Sequence, residues 1–467
     1  MIPASTFAGR CVAVFGLGRS GTVTCKSLVA GGATVLAWDD HEGARVAAMA
    51  EGLALTDLDS ADWHGIDSLV LAPGVPLTHP VPHWTVIRAR ECGVEVIGDI
   101  EIFVREREAL ALQAPFIAIT GTNGKSTTTA LIAHILASTG RDVQLGGNIG
   151  VPILSLEPPA PDRIYVVEMS SYQIDLTPTL RPTVGILLNI SPDHIDRHGT
   201  FENYVATKAR LVRNAENAVI SVDDSAVAGI ANELIADHAS TIPISAKSKL
   251  VDGYYFDNGR VYNARDGGRG VVAVLDDLPA LRGLHSAQNV MATCAAMEVV
   301  GVPASELGNG LGSFPGLAHR LEEIGRRRGI VFVNDSKATN AESAAVALAS
   351  FKADIFWICG GRAKQGGVSG LVDYFPRIAR AYLIGESQED FAAQLEGKVD
   401  FARCGTLEVA IAAAARDAAN SAGREPIVLL APACASFDQY ESFETRGDHF
   451  RDVVAALPGI EPSGSGM

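Results

Sequence analysis

The amino-acid sequence predicts an α/β protein with three domains. Short β-branched runs alternate with Ala-rich amphipathic stretches almost throughout the 467 residues, and this is the pattern of parallel sheets covered by helices on both faces. The pattern restarts at three glycine-containing segments: GLGRSG (16–21), AITGTNGKS (118–126) and GLAHRLE (316–322). Since a chain of this length exceeds one compact core, we expect domains at 1–104, 105–316 and 317–467.

In chain order, eleven apolar runs predict strands, because each is short, rich in Val and Ile and bounded by turn residues. They are CVAVFG, ATVLAWDD, DSLVLAPG, PFIAITG, DRIYVVEMS, TVGILLNIS, NAVISVDD, IVFVNDS, DIFWICGG, AYLIGE and PIVLLAP. Ala-rich stretches predict helices at 126–138, 201–214, 286–300 and 341–350. A stretch at 254–277 predicts antiparallel hairpins inserted in the middle domain. Residues 461–467 are expected to be a floppy tail.

The composition narrows the class of protein. Lys and Arg total 38 against 54 for Asp and Glu, a net charge of -16, which argues against nucleic acid as a partner because phosphate neutralisation needs a basic surface. Small anionic ligands stay compatible with this charge, since local backbone amides and a few cations can hold them. We expect no signal peptide, because the first residues show no basic region followed by a long apolar stretch. No apolar run is long enough to predict a membrane span, and the seven cysteines are scattered. A cytoplasmic protein with reduced thiols is expected.

A phosphate-binding loop is predicted where the strand PFIAITG meets a helix. Backbone amides from Gly121 to Lys125 can cradle phosphates there, assisted by the helix dipole. Lys125 would reach the β and γ phosphates, and the hydroxyl of Ser126 would hold Mg²⁺. The full motif has a glycine five residues before Gly124, where Ile119 stands, so TGTNGKS is a compact variant. The alternative is a tight turn with a surface lysine, but the strand–turn–helix context favours phosphate binding.

The segment GLGRSG matches the dinucleotide-binding pattern GxGxxG. Gly16, Gly18 and Gly21 follow a strand, and Asp39 and Asp40 end the next strand about 20 residues later. Taken alone, the motif predicts NAD and a dehydrogenase. Simple close packing of strand and helix competes with that interpretation, and so does a nucleotide diphosphate that is not a redox cofactor.

Polar residues also follow other predicted strands. Glu168 ends the run IYVVE and precedes Ser170 and Ser171, where a carboxylate suits Mg²⁺ or water positioning, although a helix-capping acid fits equally well. The next strand leads into a cluster of Asn189, Asp193, His194, Asp196 and His198. In the last domain, polar residues follow two strands, namely Asp335, Ser336, Lys337, Thr339, Asn340 and the segment SFDQYESFETRGDHF (436–450). Such clusters indicate binding sites, since α/β sites gather at the carboxyl ends of strands.

Together these motifs resemble the Mur ligase family, and most of all its D-glutamate-adding members. The similar segments are GLGRSG, APGVP, GTNGKST, GGNIG, EMSSYQ, NISPDHIDRH, GLAHRLE, NDSKATN, GGRAK and ACASFDQYESFETRG, and they cover nearly the whole chain. The resemblance implies Rossmann-like first and last domains around a P-loop-type central ATPase domain. It implies the union of UDP-N-acetylmuramoyl-L-alanine with D-glutamate, using ATP and two Mg²⁺ ions, through an acyl phosphate in the cytoplasmic part of peptidoglycan synthesis.

The resemblance also implies roles for individual residues. The catalytic set would be Lys125, Glu168, His194 and Lys208, and the metal set Ser126, Glu168, His194 and Lys208. Lys208 matches a lysine that the family carries in carbamylated form, although a surface lysine would fit its helix. ATP would be bound by Gly121, Thr122, Asn123, Gly124, Lys125, Ser126, Thr127, Asn289, Arg320, Asp335 and Lys337. The UDP substrate would be bound by Gly18, Arg19, Ser20, Asp39, Gly74, Asn148 and Ser170. D-Glutamate would be bound by Thr339, Lys364, Ser436 and Phe443.

Three positions depart from the family pattern, and three alternatives stay open. Ser286 replaces an Asn near the adenine, Ala72 replaces a Ser in the uridine-binding loop, and Asp40 replaces a Thr beside Asp39. Another Mur-type or folylpolyglutamate-type ligase is the nearest alternative. An NAD-dependent oxidoreductase would leave GTNGKST unexplained, and a P-loop protein without catalysis would leave the D-glutamate segment unexplained. A monomer is expected, with small molecules as its partners and without nucleic acid or membrane.

Overall fold

The chain is described from a computed structural model, which covers residues 1–463 apart from 238, 268–269, 282–283, 364–365 and 424. It divides into two compact units. The first contains Met1–Leu275 and Ser286–Ser313, and the second contains Asp276–His285 and Phe314–Met467. The architecture confirms the predicted α/β class, because each unit contains a parallel-dominated sheet covered by helices.

The first unit begins with a four-stranded parallel sheet in the order β2-β1-β3-β4. Its strands are β1 Cys11–Phe15, β2 Thr34–Trp38, β3 Ser68–Leu71 and β4 Glu95–Ile97. Its helices are α1 Arg19–Ala30, α2 Glu42–Ala50, α3 Trp84–Glu91 and α4 Asp99–Ala111. The carboxyl ends of β1 and β3 lie side by side, so the GLGRSG turn and the loop after Leu71 share one edge of the sheet.

A second, nine-stranded sheet completes this unit, in the order β13-β12-β11-β10-β9-β8-β5-β7-β6. Its strands are β5 Phe116–Thr120, β6 Val143–Gly147, β7 Ile164–Glu168, β8 Val184–Leu187, β9 Asn217–Ser221, β10 Thr241–Ser245, β11 Tyr254–Asp257, β12 Arg260–Asn263 and β13 Gly270–Val274. Its helices are α5 Lys125–Ser138, α6 Ser171–Asp175, α7 Ile195–His198, α8 Phe201–Arg213, α9 Ser225–Ala236, α10 Leu284–Val299 and α11 Ala304–Ser313. The pairs β11–β12 and β12–β13 are antiparallel, which confirms the predicted hairpins.

The strand order places the phosphate-loop segment in the interior of this sheet, away from both of its edges. Strand β5 lies between β7 and β8, and all three are buried along their whole length. The chain leads from β5 to β6 on one side and from the adjacent β8 to β9 on the other. At such a switch point the connections diverge and leave a crevice for a ligand. The segments after β5, β7 and β8 all leave from this edge.

The second unit contains a seven-stranded sheet in the order β19-β18-β16-β20-β15-β14-β22, and a two-stranded ribbon of β17 and β21. Its strands are β14 Glu322–Arg327, β15 Ile330–Asn334, β16 Ile355–Gly360, β17 Arg362–Ala363, β18 Ile378–Ile384, β19 Phe401–Gly405, β20 Ile427–Leu430, β21 Cys434–Ala435 and β22 Glu461–Pro462. Its helices are α12 Ala341–Ala349, α13 Gln388–Leu395, α14 Leu407–Ala418 and α15 Phe443–Ala455.

The expectation of a floppy tail is wrong for residues 461–463. Glu461 and Pro462 pair with β14 in an antiparallel ladder, and Ser463 donates hydrogen bonds to Ile324 O and Glu323 Oε1. The tail is ordered there because β14 would otherwise be a bare sheet edge with unpaired backbone groups. Residues 464–467 lie outside the described part of the chain.

The strands of residues 1–104 belong to the same compact unit as the nine-stranded sheet. The domain boundary near residue 105 therefore stays a prediction. Among the described residues, none of the helices combines the length and the apolar character that crossing a membrane requires.

Candidate active site

The predicted phosphate loop connects β5 to α5 through two glycines with positive φ angles. Gly121 has φ 154° and Gly124 has φ 85°. A Cβ at Gly124 would lie 2.5 Å from Oδ1 of Asn289, so the loop also needs glycine for space. Asn189 holds the loop from the neighbouring strand: its Oδ1 accepts from Asn123 N at 2.8 Å, and its carbonyl accepts from Thr122 N at 2.8 Å. These contacts leave the amino end of α5 facing the crevice.

Two lysines converge on this loop. Lys125 donates from Nζ to the carbonyls of Gly121 and Thr122 at 3.0 and 2.8 Å. Lys208 donates from Nζ to Thr120 Oγ1 at 3.1 Å and to Gly121 O at 2.9 Å. Lys208 is only 2% exposed, so the surface-lysine interpretation of its helix is wrong.

The surroundings of Lys208 favour its neutral amine. Burial, and next the charge of Lys125, lower the pKa of Lys208 well below its ordinary value, while Asp193 and Glu168 partly oppose that shift. The ring of Tyr204 lies 4.9 Å from the same nitrogen. A buried amine that is neutral is also a nucleophile, which a surface ammonium is not.

Only one of the two carboxylate oxygens of Glu168 has a hydrogen-bond partner among the described residues. It is 2% exposed, and its Oε1 accepts from Asn148 Nδ2 at 2.7 Å. Its Oε2 is buried without a hydrogen-bond partner among the described residues. Ser170, not Glu168, caps α6, through a capping box with Gln173, so the helix-capping alternative for Glu168 is wrong. A lone buried carboxylate oxygen is costly unless a cation completes its coordination.

This donor set fits Mg²⁺. Magnesium takes oxygen ligands and usually combines one or two protein groups with waters and substrate phosphates. Glu168 and the buried hydroxyl of Ser126, at the start of α5, supply oxygens at neighbouring strand ends. The described residues contain no cluster of three or more His, Cys, Asp or Glu side chains that could hold a metal alone.

The loop after β8 arranges its histidines around one tyrosine. His194 has φ 53° and is half-exposed, with Nε2 3.4 Å from Asp193 Oδ2. Its ring centroid lies 5.1 Å from that of Tyr172, and His198 stacks on the same tyrosine at 5.6 Å. His198 Nε2 lies 2.9 Å from Ser171 Oγ, and burial is the main cause that lowers the pKa of His198 to about 4.

The GLGRSG turn needs glycines for its backbone conformation and for close packing. Gly16 has φ 96°, and a Cβ at Gly21 would lie 1.8 Å from Gly16 O, whereas a Cβ at Gly18 would meet nothing within 4 Å. Asp39 braces the turn, since its Oδ2 accepts from Leu17 N at 2.7 Å and its Oδ1 accepts from His41 N at 2.8 Å. Each oxygen of Asp39 therefore accepts a backbone N–H of this turn region.

The unexpected Asp40 has partners of its own. Its Oδ2 lies 3.1 Å from His83 Nε2 and accepts from Trp84 Nε1 at 3.3 Å. This second acid therefore anchors the start of α3. Arg19 and Ser20 open α1 at the same turn, and Gly74 lies in the loop after β3.

The second unit groups its predicted residues at the carboxyl ends of β15 and β20. Asp335 is buried and accepts from Leu321 N at 3.2 Å, and burial raises its pKa to about 7 against the opposing charges of Arg320 and Lys337. Lys337 Nζ lies 5.1 Å from the ring of Phe443.

The predicted D-glutamate residues of this unit are placed only in part. Thr339 N donates to Lys337 O at 2.8 Å, and Ser436 is buried at the ribbon of β17 and β21. Lys364 lies outside the described residues.

Sequence reasoning missed two arginines. Arg446, 1% exposed, donates to Ser336 Oγ, Ser336 O and Cys434 O at 3.0, 2.9 and 3.1 Å. Arg197 donates to three consecutive carbonyls in the loop after β3. Both stand inside segments that resemble the family, FETRG and DHIDRH, but the motif match alone assigned them no role.

Comparisons with known proteins agree with the resemblance. The family model described as the Mur ligase middle domain matches residues 119–297, and the one described as Mur ligase, glutamate ligase domain matches residues 319–434. A curated protein of Brucella abortus (strain 2308), named UDP-N-acetylmuramoylalanine–D-glutamate ligase, is 55% identical over 466 residues, which is 100% of each chain. A protein of that name from Mesorhizobium japonicum is 55% identical over 464 residues, 99% of each chain.

Solved structures support the fold. UDP-N-acetylmuramate-alanine ligase MurC from Thermotoga maritima matches with a TM-score of 0.57 and 15% identity, covering 95% of this chain and 98% of that one. The MurF ligase of the same organism, in complex with ADP, matches with a TM-score of 0.56 and 14% identity, covering 97% and 96%. At such low identity these two structures support the α/β architecture alone.

Proposed function

The chain belongs to the Mur ligase family, and from this premise we propose that it joins D-glutamate to UDP-N-acetylmuramoyl-L-alanine, converting ATP to ADP and phosphate. The observation that carries the proposal is identity of 55% over the full length to ligases bearing that name. The enzyme acts in peptidoglycan synthesis, and we place this step in the cytoplasm, with the protein as a monomer.

The reaction needs activation, because a carboxylate does not react with an amine. The substrate carboxylate oxygen attacks the γ-phosphorus of ATP, so ADP leaves and an acyl phosphate forms. The amine of D-glutamate then attacks the acyl carbon, an amide bond forms, and phosphate leaves with a proton lost from nitrogen. Both steps bring anions together, so fixed cations and amides lower the barrier. Lys125 at the amino end of α5 is the cation for the γ-phosphate.

Magnesium would be held by Ser126 and Glu168 at a first position and by His194 at a second. When bound, Mg²⁺ supplies positive charge that offsets the developing negative charge on phosphate oxygens. The buried Oε2 of Glu168 supports the first position, since it has no protein partner among the described residues. Asn148, which donates to Oε1, orients the carboxylate.

Lys208 is proposed to react with CO₂ to form a carbamate. The neutral amine adds to the carbon of CO₂, an N–C bond forms, and one proton is released to solvent. The change places an anion beside the ammonium of Lys125 where a neutral amine stood, so the carbamate is attracted to Lys125, whereas a protonated Lys208 would be repelled by it. Burial of Lys208 beside Lys125 supports this proposal.

The carbamate can be tested with ¹³C-bicarbonate and ¹³C NMR. Wild type and Lys26→Met, which changes a half-exposed lysine paired with Glu51, should show the carbamate carbon signal, and Lys208→Met should lose it. A signal that persists in Lys208→Met, or that never appears in wild type, would contradict the assignment.

The remaining predicted contacts complete the proposal. The UDP substrate is assigned to Gly18, Arg19, Ser20, Asp39, Gly74, Asn148 and Ser170, with Asp39 acting by bracing the turn. ATP is assigned to residues 121–127 with Asn289, Arg320, Asp335 and Lys337. D-Glutamate is assigned to Thr339, Lys364, Ser436 and Phe443. Domains at 1–104, 105–316 and 317–467 correspond to these three ligands.

The decisive experiment measures phosphate release from ATP with UDP-N-acetylmuramoyl-L-alanine, adding amino acids one at a time. Release should require D-glutamate and should fall by about a hundredfold to a thousandfold in Lys125→Ala. Lys249→Ala is the control, since Lys249 is an exposed lysine paired with Asp257 at 2.8 Å. Release with another amino acid would move the enzyme within its family, and release without any amino acid would refute the ligase function.

A further inference from the structure

Arg197 links the loop that follows β3 to the loop that carries His194. We propose that Arg197 is a positioning residue, which fixes the loop 73–75 against the catalytic loop so that the acyl end of the UDP substrate meets the γ-phosphate. The inference rests on the proposed function, because it assigns loop 73–75 to the UDP substrate through Gly74.

The guanidinium reaches three successive carbonyls of that loop. Arg197 Nη1 donates to Gly74 O at 2.9 Å, and Nη2 donates to Val75 O at 3.0 Å and to Pro73 O at 3.4 Å. The planar fork of an arginine presents its donors in fixed directions, so it constrains orientation as well as distance. A lysine would supply a similar charge without this geometry.

The other side of the guanidinium faces a residue of the catalytic region. The Cζ of Arg197 lies 4.5 Å from the ring centroid of Tyr172, at a distance that gives cation–π attraction. Tyr172 is part of α6, directly after Glu168 and Ser170, and its ring also contacts His194 and His198. Arg197, which lies after β8, thus contacts both the loop after β3 and the segment after β7.

Acyl phosphate formation explains why the position of the loop 73–75 relative to the catalytic loop matters. Acyl phosphate formation requires the substrate carboxylate to approach phosphorus within contact distance, while the UDP end is held at a different sheet. A misplacement of about 1 Å can cost about a hundredfold in rate. Arg197 sets the distance between the two sheets' loops, so its loss should weaken substrate binding and turnover more than it weakens folding.

The test compares Arg197→Met and Arg197→Lys with Arg141→Met. Arg141 is a matched control, because it also donates from Nη1 and Nη2 to backbone carbonyls, those of Val300 and Gly301, both at 3.0 Å. These carbonyls belong neither to the loop 73–75 nor to the loop that carries His194. The measurements are equilibrium binding of UDP-N-acetylmuramoyl-L-alanine, kcat, KM for each substrate, and the unfolding midpoint in urea.

Both Arg197 variants should lower kcat/KM for the UDP substrate by about a hundredfold and weaken its equilibrium binding, while KM for D-glutamate changes less than about twofold. The lysine variant should not restore activity, because the three-carbonyl fork is lost. Arg141→Met should lower the unfolding midpoint to a similar extent but leave UDP-substrate binding and kcat unchanged.

The outcomes separate this inference from the proposed function. If wild type binds the UDP substrate but shows no D-glutamate-dependent turnover, the function fails, and weaker binding confined to the Arg197 variants still supports the positioning role. Unchanged binding and KM in folded Arg197→Met and Arg197→Lys would overturn the inference even if the ligase function holds. Equal losses in Arg141→Met, or no binding by wild type, would overturn it too.

Discussion

Gly124→Ala should damage the phosphate loop by two separable effects. An alanine at φ 85° pays the left-handed conformational cost of about 1–2 kcal/mol. The new Cβ would also lie 2.5 Å from Asn289 Oδ1 and 3.1 Å from Leu188 Cδ1, so Asn289 must move and its hydrogen bond from Thr128 Oγ1 at 3.2 Å is lost. That displacement should add about 1–3 kcal/mol, for a total of about 2–5 kcal/mol.

Gly140→Ala isolates the first effect. Gly140 follows the other end of the same helix, has φ 77°, and a Cβ there would meet nothing within 4 Å. It should therefore lose only about 1–2 kcal/mol in the free energy of unfolding. The difference between the two variants, about 1–3 kcal/mol, measures the clash at Asn289.

Two assays test the reasoning: the free energy of unfolding from urea titration, and the dissociation constant for Mg–ATP. Gly124→Ala should also weaken ATP by about tenfold to a hundredfold, since a displaced loop forfeits a charge-assisted hydrogen bond to phosphate. Gly140→Ala should bind ATP normally. Equal destabilisation in both variants with unchanged ATP affinity would refute the close-approach argument.

Three further variants have defined outcomes. Because the folded-state pKa of His198 is about 4 against an ordinary 6.5, the unfolded chain takes up the proton first and stability falls as pH drops from 6.5 to 4. Melting temperatures of His198→Gln should fall less over that range, and parallel curves would contradict the assignment. Asp39→Asn should lose about 1–3 kcal/mol in urea titration, because an amide nitrogen would face a backbone N–H, and it should raise KM for the UDP substrate; unchanged stability would exclude the bracing role. Glu168→Gln should lower kcat by about a hundredfold or more and require more Mg²⁺ in a magnesium titration, whereas a wild-type titration curve would argue against a metal ligand.

Local patterns made most of the fold predictable. The predicted helix 126–138 is α5, Lys125–Ser138, and the predicted helix 201–214 is α8, Phe201–Arg213. Each helix has a start signal in the residues just before it: the left-handed Gly124 precedes α5, and the side chain of Thr200 caps α8. The hairpins at 254–277 were equally visible, because a two-residue turn such as Asn258–Gly259 between alternating strands is a short-range signal.

What sequence alone could not predict depends on distant partners. Strand β14 reads EEIGRR, without apolar alternation, and it is a strand only because β15 and β22 pair with it. The burial of Lys208 depends on the loop after β5, which lies 87 residues away in sequence. Arg197 binds carbonyls that are 122–124 residues away. Hydrophobic periodicity within one segment of the sequence cannot predict contacts between residues so far apart.

The charge balance of the site also resolves an apparent conflict. A chain with a net charge of -16 is proposed to hold three anionic substrates. Two arginines in the predicted site segments, Arg197 and Arg446, donate to hydroxyls and carbonyls in the hydrogen bonds that the structure shows, rather than to carboxylates. Neutral acceptors orient a cation without cancelling its charge, so each keeps a positive field for an anion in a low-dielectric site. Many acidic residues lie in surface pairs such as Glu389 with Arg403, which contribute little to that field. The local placement of a few cations, rather than the net charge, therefore decides the affinity for anions.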